Sequence, residues 1–236
     1  MITNTIKNFL SKNTPGFYSA LRKLRFINNL FRNQKQIFSE YYSNNYWDNE
    51  DSRSGPGSDI KQTQKLIDDL PGILKKYQIK SMMDAPCGDF FWMKHVDLNG
   101  IDYLGTDIVD ELIKRNNNKF GKPGIHFKVI DLIDDTIPKV DLIFCRDLLV
   151  HLPDHKVSKV LKNFVASGSS YLLTTDFKGD FKNIDIAMGD WRPLNLEKAP
   201  FNLPAPLYKY QEDSTLGQGK YPDKYLSLWK LSDLNL

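Results

Sequence analysis

The chain has 236 residues, 41% hydrophobic and 26% charged, enough for one large domain with a full core plus a modest extension. Its two cysteines, Cys87 and Cys145, each end an apolar run read as a central strand, which argues against a disulfide framework or thiolate metal site and fits a reducing cytoplasm. No apolar run approaches the roughly 18 residues of a membrane span and the first residues lack a signal-peptide pattern, so a soluble, cytoplasmic protein is expected.

The net charge of +3 conceals an asymmetry: seven basic residues, from Lys7 to Lys35, precede the first acid, Glu40, so that segment carries +7 and the remainder −4. Between Ile6 and Phe38, Leu21, Leu24, Ile27, Leu30 and Phe31 recur near helical spacing, with Pro15-Gly16 as a break. This predicts a helical cap over residues 1–46 and a main domain over 47–236. The basic segment suits an anionic sugar, a nucleotide or a membrane surface, or else forms a solvated helix face.

Asp51 to Ser58 reads D-S-R-S-G-P-G-S, an irregular loop rich in hydroxyls and backbone N–H groups. Ser58 is the expected N-cap of a helix from Asp59 to about Tyr77, with Pro71-Gly72 as a kink or early stop. Apolar runs ending in acids predict strands at Met82–Asp84, Tyr103–Asp107, Val129–Ile130 before Asp131, and Val140–Phe144 before Asp147. Between and after them, helices are expected at Phe90–Val96, Val109–Phe120 and Pro153–Val165, then a fifth strand at Tyr171–Thr175. Asp190–Pro206 is too proline-rich for a helix and too apolar for a linker, and should pack along the sheet edge, where it could floor a substrate pocket. Leu207–Gln211 and Leu226–Leu231 read as two final strands. The alternation predicts an α/β, mostly parallel seven-stranded sheet with helices on both faces.

Such a sheet binds its ligand outside the strand carboxyl ends, where Asp84, Asp107, Asp131 and Asp147 all fall. Asp107 is placed to accept ribose hydroxyls and Asp131 to meet an adenine amino group. The first loop, D-A-P-C-G-D, lacks the glycines of a pyrophosphate-binding G-x-G-x-x-G turn, and its acids would repel pyrophosphate. Asp84 or Asp89 would instead attract the amino and sulfonium cations of S-adenosylmethionine. Beyond the fourth strand, Asp147 or His151 could take a hydroxyl proton. His155 lies one turn from His151 but has no third histidine nearby, so no metal is expected.

Together, S-R-S-G-P-G-S, D-A-P-C-G-D-F-F-W-M, Y-L-G-T-D-I-V, C-R-D-L-L-V-H-L, W-R-P-L-N-L and Y-P-D-K-Y-L-S-L-W resemble, in that order from Tyr46 onward, a bacterial family of class I S-adenosylmethionine-dependent methyltransferases. The resemblance implies a Rossmann-like fold with cofactor held by Asp84, Ala85, Pro86, Cys87 and Gly88, by Asp107 with Ile108, and by Asp131 with Leu132. The loop carrying Arg53, Ser54 and Gly55 would close over the methionine end, whose carboxylate Arg53 or Arg146 would pair. Pro86 and Phe90 stand where the broader superfamily has glycines. The expected acceptor is a hydroxyl of a sugar, a surface-glycan precursor or a related small metabolite, phosphorylated ones included, met by Trp191, Arg192, Asn195, Tyr221 and Lys224. The rivals are a nucleic-acid or protein methyltransferase and a non-catalytic cofactor-binding partner. Arg146-Asp147-Leu148-Leu149 is not the Pro-Pro-aromatic motif of amino-methylating nucleic-acid enzymes.

Overall fold

The computed structural model describes residue 29 and residues 32–212 and 221–236. The helices expected before residue 29 lie outside the described residues. Seven strands form one sheet: β1 Ser81–Asp84, β2 Asp102–Asp107, β3 Ile125–Val129, β4 Leu142–Cys145, β5 Tyr171–Phe177, β6 Tyr208–Gln211 and β7 Lys224–Lys230. Their order is β3-β2-β1-β4-β5-β7-β6, with β7 running against both its neighbours and the other pairs parallel. Among the described residues the four longer helices are α1 Gln34–Ser43, α2 Ile60–Lys76, α3 Asp110–Phe120 and α4 Asp154–Ala166. This is the mixed, broadly Rossmann-like α/β architecture that the βα alternation predicts.

The two-residue period of the strands splits the core between the two faces of the sheet. Met82, Leu142, Phe144, Leu173 and Leu226 turn toward α2 and α3, whose Leu66, Leu70, Ile73, Leu112 and Ile113 share their cluster. Met83, Ile143, Cys145, Leu172 and Trp229 turn the other way, toward Val157, Leu161 and Phe164 of α4 and Leu194 and Leu196 of the proline-rich segment. That segment, expected along the sheet edge, instead packs on a face of the sheet and closes the core there. Among the described residues no helix is long and apolar enough to cross a membrane.

Three local expectations are corrected. Ser58 belongs to a 3-10 turn, Pro56–Ser58, and Asp59 holds the N-cap position of α2 with its carboxylate turned to Asn49 Nδ2 at 2.7 Å. Pro71 neither stops α2 nor ends its burial, because Leu66, Ile67, Leu70, Ile73 and Leu74 are all buried. At about 1.5–3 kcal/mol each, their burial outweighs the ~3 kcal/mol cost of an interior proline. No α-helix follows β1; only a 3-10 turn, Met93–His95, forms. The reason is Phe90, at φ 58 and 3% exposed, whose ring meets Tyr103, Phe120 and Phe127 at 5.1–5.2 Å between centroids. A left-handed residue costs roughly 1–2 kcal/mol, comparable with what burying this ring returns, and such a residue cannot begin a helix. A phenylalanine thus holds a backbone shape usually given to glycine.

Candidate active site

Chain order reverses between β1 and β4, and outside the carboxyl ends of these strands lies a cavity of about 460 Å³, within the range of small-ligand sites. Its walls include Arg53, Ser54, Gly55, Asp84, Pro86, Cys87 and Gly88, then Asp107 and Ile108, Asp131 and Leu132, and Arg146, Asp147 and His151. Ala85 is fully buried behind them. Trp191, Tyr221 and Lys224 also line it, with Trp47, Trp92 and Phe177 among others, whereas Arg192 and Asn195 are absent from it.

Two loops meet at the methionine side of the expected cofactor site. The Asp89 carboxylate accepts hydrogen bonds from Ser52 Oγ (2.9 Å), Arg53 N (3.0 Å) and Ser54 Oγ (3.2 Å), while Asp89 N donates to Ser54 Oγ. Asp89 is thus a clip between loops rather than a group aimed at a ligand cation. The approach is close enough that Gly88, at φ 51, cannot carry a side chain: a Cβ would lie 2.1 Å from Ser54 Oγ. Held in this way, Arg53 donates to Tyr42 O and Ser43 O at the end of α1.

The acids differ sharply in charge state. Burial pushes Asp84 up to about 7, against the hydrogen bond it accepts from Tyr103 Oη at 2.6 Å. Burial raises Asp107 to about 6, opposed by the backbone N–H groups of Val109, Ile108 and Gly88. Asp147 goes the other way. Burial alone would raise it, but Lys224 Nζ at 2.8 Å and Arg146 hold it well below the ordinary carboxylate range. Asp131 accepts from Ile133 N and from Gln34 Nε2 at 2.8 Å, and the same amide reaches Asp134, so α1 is tied across the mouth of the cavity. Burial holds both thiols in their protonated form, raising Cys87 well above its ordinary value and Cys145 to about 12.

Arg146 is fully engaged. Its Nε and Nη2 each lie 2.8 Å from Glu212 Oε1, Nη1 donates to Gly57 O, and Asp147 is 3.4 Å away. Lys224 pairs with Asp147 and also with Glu212 at 3.2 Å. Arg192 and Asn195, expected at the substrate, lie outside the cavity: Arg192, 5% exposed, clamps Leu149 O and Asp154, and Asn195 is paired with Asn183. Their polar groups serve to fix the 183–198 segment. His151 Nδ1 lies 2.8 Å from Asp190 O; a carbonyl only accepts, so Nδ1 carries the proton and Nε2 the basic lone pair of the neutral ring. Three contributors escaped the sequence: Asp89 as a clip, Gln34 and Glu212. Only the paired serines of S-R-S hinted at the first.

Solved structures carry the same architecture. Magnesium protoporphyrin IX methyltransferase from Synechocystis PCC 6803, with bound SAM, superposes with a TM-score of 0.59 at 12% identity, over 84% of this chain and 97% of that one. The PH0226 protein from Pyrococcus horikoshii OT3 gives 0.54 at 16% identity over 75% and 96%. A protein from Bordetella parapertussis matches 51% of this chain at 16% identity with a TM-score of 0.41, and the chain spans 44% of its length. No protein-family model matches the chain and no curated protein matches its sequence. The likeness is one of fold.

Proposed function

We propose that the chain is an S-adenosylmethionine-dependent class I methyltransferase acting on a hydroxyl of a small polar acceptor, carbohydrates first among them. The observation that carries the reading is the cavity at the β1/β4 reversal, with Asp107 at the tip of β2 and an acidic loop after β1, on a fold shared with a methyltransferase whose structure holds SAM. The donor set suits that cofactor. Asp107 is a desolvated carboxylate that gains by accepting ribose hydroxyls, and the Asp84–Asp89 loop offers no cradle for pyrophosphate.

When bound, the cofactor supplies an electrophilic sulfonium methyl. Arg53 pairs the methionine carboxylate, since Arg146 already has its partners. Asp131 keeps lone pairs for an adenine amino group beside its bond to Gln34. Of the two candidate bases, Asp147 is too weakly basic, and His151 takes the proton through Nε2. With the methyl donor held in this way, these residues would leave the acceptor hydroxyl facing His151 Nε2, which would receive its proton. Positioning and exclusion of water do the rest.

Calorimetry tests the reading: S-adenosylmethionine and S-adenosylhomocysteine should bind and NAD should not. Tight NAD binding with no response to S-adenosylhomocysteine overturns it.

A further inference from the structure

We propose that the acceptor is an uncharged, hydroxyl-bearing ring and that the site discriminates against its phosphorylated form. This deepens the methyltransferase reading and rests on it. Arg192, one of two cations that a phosphate would be expected to meet, is outside the cavity and paired to Asp154 at 2.7 Å. Lys224, the other, is 4% exposed and lies 2.8 Å from Asp147 and 3.2 Å from Glu212. Arg146 shares the same two carboxylates. Two cations and two carboxylates therefore close on one another at this wall, and a phosphate would have to displace Asp147 or Glu212 from a buried pair to gain a contact.

Among the described residues the remaining arginine or lysine lining the cavity is Arg53, whose Nη1 donates to Tyr42 O and Ser43 O and which the proposed function gives to the cofactor carboxylate. Asp107 and Asp131 add negative charge to the same enclosure. Among the described residues, a dianion entering there meets carboxylates and no cation that is not already paired.

The shape of the wall says what does fit. Trp191 and Tyr221 lie 4.8 Å apart between ring centroids, and Phe177 meets them edge-on at 6.0 and 5.8 Å. Trp191 keeps 39% of its surface exposed although its neighbours in the chain are mostly buried. An indole held open by two other rings presents a flat apolar platform, onto which the C–H face of a pyranose or the face of a phenol would stack. With His151 on the same cavity as base, such a ring needs only one hydroxyl directed at it.

The test uses the full chain loaded with S-adenosylhomocysteine and two matched pairs of probes: methyl glucoside against methyl glucoside 6-phosphate, and hydroquinone against 4-hydroxyphenyl phosphate. Binding is read by ligand-detected NMR. The neutral member of at least one pair should bind about tenfold or more tightly than its phosphorylated partner, and which pair responds tells sugar from phenol. Equal or tighter binding of the phosphorylated members, or no binding of either pair, overturns the proposal. Failure to load S-adenosylhomocysteine at the outset would instead remove the methyltransferase reading. A second measurement uses Glu212→Gln, which leaves Arg146 and Lys224 with one carboxylate between them. The preference should move about tenfold toward the phosphorylated member. An unchanged ratio in folded protein also overturns the proposal; if this variant does not fold, the wild-type comparison still decides.

Discussion

Asp89→Ala tests the clip between the two loops. The substitution removes the acceptor for Ser52 Oγ, Arg53 N and Ser54 Oγ at 2.9, 3.0 and 3.2 Å. Arg53 is then no longer held in place before ligand arrives. Fixing one residue's backbone again costs about 1–2 kcal/mol. If Arg53 alone is released, S-adenosylhomocysteine should bind about 5- to 30-fold more weakly. KM for S-adenosylmethionine should rise while kcat holds, because the clip touches no reacting atom. Asp89→Asn should lose less: its amide oxygen can still accept from Arg53 N, and the serine hydroxyls can rotate to accept from its NH₂ group. Calorimetry on both variants, with thermal melts to confirm folding, gives the comparison. The decisive control is Arg53→Ala, in which Asp89→Ala should add little if it acts through that arginine. Wild-type affinity in Asp89→Ala, or an undiminished penalty in the Arg53→Ala background, refutes the reasoning.

The raised acids predict an unusual pH dependence. Asp84 is lifted from 3.8 to about 7 and Asp107 from 3.8 to about 6, so across that window the folded state binds more protons than the unfolded one. Stability of the unliganded protein should therefore fall as pH rises from near 4 to near 7, and Asp84→Asn should flatten the trend; parallel denaturation profiles of the two proteins would contradict this. His151→Gln should lower turnover by about 10²–10⁴ with S-adenosylhomocysteine affinity unchanged. Asp147→Asn should lower stability by roughly 1.5–3 kcal/mol, since Lys224 loses one charge-assisted bond and keeps Glu212. A turnover loss in Asp147→Asn without that destabilisation would return the role of base to Asp147.

The sequence was most legible where local pattern and burial agree. Met82–Asp84 and Tyr103–Asp107 are short apolar runs between turn signals, and both strands and their terminal acids stand where those runs placed them. The α2 stripe survived even an interior proline because five buried residues enforce it. What stayed hidden was pairing across distance. Lys224, Arg146 and Arg192 look alike as free cations in a sequence, yet each is neutralised by an acid 38 to 77 positions away. No periodicity encodes such a partner. The same holds for Gln34, whose bond to Asp131 spans 97 positions, and for Phe90, whose left-handed backbone follows from three rings gathered by the fold.

The placement of β7 between β5 and β6 bears on how the molecule comes together. β6 precedes β7 in the chain but pairs only with it, so a nascent chain that has emerged as far as Gln211 has a strand with nowhere to dock and leaves the edge of β5 open. When β7 inserts, it closes that edge with seven residue pairs, gives β6 its partner and delivers Lys224 to Asp147 and Glu212. Until then Arg146 is the sole described cation holding those two carboxylates together. Completion of the sheet and charge balance in the cavity are thus one late event, and a chain stalled before β7 should be aggregation-prone and leave the cavity's carboxylates short of a cation.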